Sequence, residues 1–139
     1  MKILITYASG PSVSQAFKLS IEALFKSLHG IVPACTIERA PRWGSEARRR
    51  AVLTADIMVA ILDHFEPEVL ADIEMRVAEE KLLLAFACDP STVDGRYTKV
   101  AGGITRYEDM DSVHDTVATQ AHGMSMGPAE REPDAAVSE

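Results

Sequence analysis

The apolar residues fall into short continuous runs that alternate with longer stretches of helical spacing. Ile3 to Ala8 is a short run closed by Gly10-Pro11, which predicts a strand and a turn. Between Ser12 and Leu28 the positions Val13, Ala16, Phe17, Leu19, Ile21, Leu24, Phe25 and Leu28 recur at helical spacing. Ser12 is the expected N-cap of that helix and Gly30 its stop. Ile31 to Ile37 predicts a second strand, Glu38 to Gly44 a loop, and Ser45 the cap of a short helix over Glu46 to Leu53. Asp56 to Leu62 is apolar almost throughout, as a strand buried on both faces requires. Pro67 suits a first helical position, and that helix is expected to reach about Glu80 with Val69, Leu70, Ile73 and Val77 as its apolar stripe. Leu82 to Ala87 predicts a further buried strand, Ala101 to Tyr107 a last short one, and Tyr107 to Thr119 a last helix.

Strands alternating with helices imply right-handed βαβ crossovers. The expected fold is therefore α/β: a flavodoxin-like (Rossmann-like) doubly wound domain over residues 1–120, with about five mainly parallel strands flanked by helices. Ligands of such sheets bind at the carboxyl ends of the strands. That directs attention to the loops after Ala8, Ile37 and Leu62. Residues 121–139 lack apolar periodicity from Gly123 onward and are expected to form a disordered acidic tail.

Composition narrows the function classes. With 139 residues, 47% of them hydrophobic and 25% charged, the chain suits one globular domain with a real core. A net charge of −7 argues against a nucleic-acid polymer as partner, since phosphate contacts need a basic footprint. No run reaches transmembrane length, so no membrane partner is expected. Cys35 and Cys88 lie in apolar stretches, read as buried thiols of a reducing cytoplasm. Neither cysteine nor histidine spacing points to a metal, and no cofactor motif is present.

Several stretches carry candidate chemistry, each beside a plainer reading. The loop Ser9, Gly10, Pro11 and Ser12 offers backbone N–H groups to an anion, or is a tight turn and a cap. The segment from Glu38 to Arg50 carries five arginines against Glu38 and Glu46, a local charge of +5 − 2 = +3. Arg42 is a candidate grip for a ligand carboxylate or phosphate and Trp43 for a stacked base, or Trp43 anchors its loop; Arg48 to Arg50 read as a solvated helix face. His64 lies in a rim loop, and the other histidines read as incidental. Glu68, Asp72 and Arg76 share one side of their helix. Structurally, Glu66 and Glu68 favour the helix N-terminus and Asp72 pairs with Arg76 at i, i+4.

These residues together resemble the nucleoside 2-deoxyribosyltransferase-like superfamily, and within it the nucleoside 5′-monophosphate N-glycosidases of the cytidine-monophosphate hydrolase kind. "SGP" at Ser9 to Pro11 is similar to the family's first loop, "ERAPRWGSEA" to an arginine-rich stretch ending in Trp-Gly, and Ala55 to Ala60 to its Ala-Asp-apolar-Val-Ala strand. From Asp56 the register runs without a gap to Lys81. It puts Asp72 on the catalytic glutamate and Glu74 on the glycine that follows. The resemblance implies cleavage or transfer at an N-glycosidic bond, with Asp72 as nucleophile, Asp56 orienting it or a sugar hydroxyl, and Tyr7 near the sugar. Glu74 is the alternative nucleophile, although it lies about 200° from Asp72 around a helix. Ser9 to Ser12 would line the sugar–phosphate side and Trp43 or Arg42 the base side, His64 of the rim loop is a further substrate-binding candidate, and a homodimer would be the expected assembly. Two departures stand out. Asp72 is one methylene shorter than glutamate, and "HFEPEV" replaces the Pro-Ser-x-Gly loop that holds a 5′-phosphate. Glu66 and Glu68 there would favour a neutral nucleoside or cationic base. The same departures leave open a non-catalytic nucleotide-binding or assembly module, and beyond it a TIR-like domain.

Overall fold

The computed structural model describes residues 1–30, 35–41 and 45–125. Its centre is a parallel sheet of five strands in the order β2-β1-β3-β4-β5. The strands are β1 (Lys2–Tyr7), β2 (Thr36–Arg39), β3 (Ile57–Ile61), β4 (Leu83–Ala87) and β5 (Thr105–Arg106). The helices are α1 (Gln15–Leu28), α2 (Glu46–Thr54), α3 (Pro67–Ala78), α4 (Gly95–Ala101) and α5 (Met110–Ser125). This is the expected doubly wound α/β fold, and the strand order reverses between β1 and β3.

Period-two alternation assigns each strand residue to a layer. Ile3, Ile5, Ile57, Val59 and Ile61 pack with α1 and α5, through Phe17, Ile21, Leu24, Val113 and Val117. Leu4, Met58, Ala60 and Leu62 pack on the other face with Val52 of α2, Val69 and Ile73 of α3, and Tyr97 of α4. Every residue of β3 is buried, as its unbroken apolar run requires.

Several boundaries differ from expectation. Ser14, not Ser12, caps α1, accepting a hydrogen bond from the Phe17 amide. The last helix extends past Thr119 to Ser125, because Ala121 is buried and Met124 packs on the core, so the domain does not end at residue 120. The sequence reading also passed over α4, a seven-residue helix capped by Asp94. Cys35 is half-buried and Cys88 exposed, which corrects the reading of both as core thiols. Ile31 to Ala34, Arg42 to Gly44 and Met126 onward lie outside the described residues, so the start of the second strand and the acidic tail do too. No described helix is long and apolar enough to cross a membrane.

The buried stripe of α3 is Val69, Asp72, Ile73 and Arg76, while Val77 is 42% exposed. Arg76 therefore does not pair with Asp72. Its guanidinium donates to the carbonyls of Val52 at 3.0 Å and Ala55 at 2.8 Å, and through Nε to that of Leu82 at 3.1 Å. Burial pushes its pKa down, and the charge of Asp56 acts in the opposite direction. Arg76 thus ties the end of α2 and the entry to β4 onto α3. Truncation leaves buried acceptors unmatched, at about 1–3 kcal/mol each. Arg76→Met is expected to lose about 3 kcal/mol in urea unfolding. Arg76→Lys, without the planar fork, restores only part of that. A loss within the scatter of surface substitutions would refute the tie.

Candidate functional site

The carboxyl ends of β1 and β3 meet the N-terminus of α3, as the strand order requires. Thr6 is an even-numbered residue of β1 and so faces the α2–α3 layer. Its hydroxyl donates to Asp72 Oδ2 at 2.7 Å. Arg48 reaches the same carboxylate from α2: Nε to Oδ1 at 3.0 Å and Nη2 to Oδ2 at 2.5 Å. Its Nη1 also donates to the Pro41 carbonyl at 2.8 Å. The pair is enclosed, with side-chain exposures of 9% for Arg48 and 1% for Asp72. Bidentate geometry and a hydroxyl donor satisfy both carboxylate oxygens. Asp72 is thus a buried ion-pair partner, its carboxylate engaged by Arg48 and Thr6.

Other expected members of the site are dispersed. Asp56 is exposed at the start of β3, at the opposite end of the sheet, and accepts the Lys2 amide at 2.8 Å. Tyr7, being odd-numbered, turns to the α1 layer, where it stacks edge-on with Phe25 and its hydroxyl accepts from Arg39 at 2.6 Å. Glu74, the alternative nucleophile candidate, is exposed on the outside of α3, away from Asp72. Pro11 and Ser12 are exposed on the rim, and His64 packs edge-on against Phe17 with ring centroids 4.7 Å apart. Arg42 and Trp43 lie outside the described residues.

What does gather at the rim is a carboxyl pair. Glu66 is the N-cap residue of α3, yet its side chain caps nothing in that helix. Instead Oε2 accepts the backbone amides of Ser9 at 3.1 Å and Gly10 at 2.6 Å. Gly10 permits this approach, since a Cβ there would lie 2.7 Å from Glu66 Oε2. Tyr97 fixes the loop from below: its hydroxyl accepts the Glu66 amide at 2.9 Å and donates to the His64 carbonyl at 3.0 Å. Burial raises the Tyr97 pKa to about 12, so the hydroxyl keeps its proton. Asp63 closes the same rim by accepting the Cys88 amide at 2.7 Å and the Tyr107 hydroxyl.

Glu68 sits beside Glu66 at the start of α3. The neighbouring Glu66 carboxyl, desolvation and the Glu66 charge together push Glu68 up to about 7, with Arg48 opposing and Asp72 adding to the rise. Glu66 moves the other way. Desolvation pushes it up, but the neighbouring Glu68 carboxyl, the Gly10 and Ser9 amides and the Arg48 charge outweigh this and hold it below its ordinary value. Glu66 Oε1 is buried and meets no donor among the described residues. Two carboxyls whose proton affinities are driven apart in this way are the pattern of an acid with a companion base.

Two open cavities flank the rim. One of about 280 Å³ runs between α2 and α3 along Ser45, Arg48, Arg49, Asp72 and Met75. The other, about 290 Å³, lies on the opposite face beside Tyr7, Ser9, Phe17, Lys18 and Glu22. Both approach the lower end of small-molecule pockets. No cluster of three metal-ligating side chains forms among the described residues.

The sequence reading missed Thr6 and Arg48. Both had a signal: Thr6 follows Leu4 at the strand period, and Arg48 precedes Val52 by one helical turn.

No protein-family model and no curated protein matches the chain. Solved structures share its fold, three of them as follows. A conserved protein from Enterococcus faecalis V583 superposes with TM-score 0.62 at 14% identity, over 86% of this chain and 99% of that one. A 2-deoxyribosyltransferase from Bacillus psychrosaccharolyticus gives TM-score 0.51 at 16% identity, over 81% of this chain and 90% of that one. The sugar isomerase domain of an RpiR transcription factor from Sphaerobacter thermophilus gives 0.51 at 13%, over 99% and 74%. These likenesses establish the doubly wound α/β fold, which this chain shares with a deoxyribosyltransferase, a sugar isomerase domain and a conserved bacterial protein alike.

Proposed function

We propose that the protein hydrolyses or exchanges the N-glycosidic bond of a neutral nucleoside, with Glu68 rather than Asp72 as the carboxyl that meets substrate. The observation that carries this reading is the rim pair: Glu66 Oε2 on the Ser9 and Gly10 amides, with the Glu68 carboxyl beside it pushed up to about 7 by that neighbour and by desolvation. The shared fold with a 2-deoxyribosyltransferase supports it. In the hydrolytic reaction the Glu68 proton passes to a ring nitrogen of the base as the C–N bond breaks and its electron pair leaves with the base. The oxygen of a water joins the anomeric carbon, and the proton that water releases returns to Glu68. In exchange, the nitrogen of a second base replaces water. The Glu66 carboxylate lies close enough to Glu68 to stabilise positive charge developing on the sugar.

A second reading, a binding or assembly module without turnover, draws on a different observation. Asp72, at the position the resemblance makes catalytic, is enclosed by Arg48 and Thr6. One assay separates the two. The protein is incubated with a panel of nucleosides, nucleoside monophosphates and NAD, and free base is followed by chromatography. Release from a neutral nucleoside is expected. No release from any of them sinks the catalytic reading, and calorimetric binding of a nucleoside without release establishes the second.

A further inference from the structure

The Ser9 and Gly10 amides already hold an anion, and it comes from the chain itself. Neither amide belongs to α1, which begins at Gln15, so neither is committed to a helix. The two N–H groups converge on a single oxygen, Glu66 Oε2, at 3.1 and 2.6 Å. Glu66 reaches them by forgoing the capping role open to a residue at the start of α3. Gly10 has no side chain where the carboxylate sits, 2.7 Å from the point a Cβ would occupy. Charged groups facing the carboxylate are Arg48 from α2 and Glu68 at the start of α3; Asp72 lies one turn further along.

We infer that the Ser9–Gly10 amide pair is an anion site closed by the internal carboxylate of Glu66, and that Glu66 thereby excludes phosphorylated and carboxylated ligands from the rim. The ligand group meeting this loop is then neutral or cationic. This deepens the nucleoside reading, but its geometry and its test do not depend on turnover. A second anion brought beside Glu66 meets a unit charge at contact distance, a repulsion that survives the screening of a protein surface.

The test uses inorganic phosphate as probe and the amide signals of Ser9 and Gly10 as readout. Glu66→Ser vacates the two amides and supplies a hydroxyl that caps α3, so loss of the loop contact is offset by a new helix cap. Glu66→Ala vacates them without the cap. Phosphate is expected to shift both amide signals saturably in each variant, with at least about tenfold tighter binding than in the unaltered protein. The inference is overturned if phosphate moves neither amide in either folded variant, or if it binds the unaltered protein equally well. Base release absent alongside phosphate binding at Ser9 and Gly10 would remove the proposed reaction and leave this inference standing.

Discussion

Asp72→Ala is expected to destabilise the protein by about 3–5 kcal/mol, because it strands the Arg48 guanidinium in the interior. Arg48 would keep the Pro41 carbonyl and the Thr6 hydroxyl as acceptors but no directly bonded countercharge, the Glu66 and Glu68 carboxyls acting on it only through space. Surface ion pairs elsewhere on the molecule set the contrast. Arg49–Glu46, 3.7 Å apart with both side chains more than half exposed, should change stability by less than about 1 kcal/mol when broken. Removing both buried charges together, as Arg48→Met with Asp72→Leu, should recover most of the loss, since an apolar pair of similar volume is often neutral or better. Urea unfolding of the two single variants and the double variant measures the coupling directly. A loss below about 1 kcal/mol in Asp72→Ala would mean that the pair is solvated and open. The double variant also bears on chemistry. If base release survives in it, Asp72 is not the nucleophile, whatever position it holds in a family register.

The same residue shows how far the sequence carries. β3 was legible because a strand buried on both faces has no polar position to disguise it. Parallel pairing followed from the alternation of strands and helices, since parallel neighbours require crossovers, while the order itself was only the commonest expectation for that class. Asp72 and Arg76 were legible as neighbours on one side of α3, and the spacing then suggested each other as partners. What spacing cannot encode is which polar side of a helix turns inward. Here the inward side contains both, and each finds its partner on another element: Asp72 on α2 and β1, Arg76 on the backbone of α2 and β4. Tyr7 and Thr6 teach the complementary lesson. They are adjacent in sequence, so they lie on opposite faces of the sheet, and the one that meets Asp72 is the one with no evident chemistry. The β3–α3 loop was legible as acidic. That its first glutamate would ignore its own helix and bind the amides of the β1 loop depends on contact between loops about 56 residues apart, which no local pattern records.

Glu68→Gln is expected to lower base release by about 10²–10⁴-fold, the usual contribution of a positioned general acid. The sign of the pH dependence follows from the proton. Glu68 is the competent acid while protonated, so release should be constant below about 7 and fall roughly tenfold per pH unit above it. In Glu68→Gln that descending limb should vanish along with most of the rate. Stability carries the same signature. Between its ordinary value of 4.5 and about 7, Glu68 keeps in the folded chain a proton that the unfolded chain has lost. Stability from this group is therefore full below pH 4.5 and declines as pH rises through about 7. Glu66→Gln removes the neighbouring carboxylate, whose side-chain interaction and charge both raise Glu68, so it should move the Glu68 titration part of the way back toward 4.5 and shift the rate limb down with it, desolvation remaining. Carbon-detected titration of the Glu68 carboxyl gives the value without any assay of turnover. A Glu68 titrating near 4.5 in the unaltered protein would leave the rim without an acid at neutral pH, and the proposed reaction would lose its proton donor.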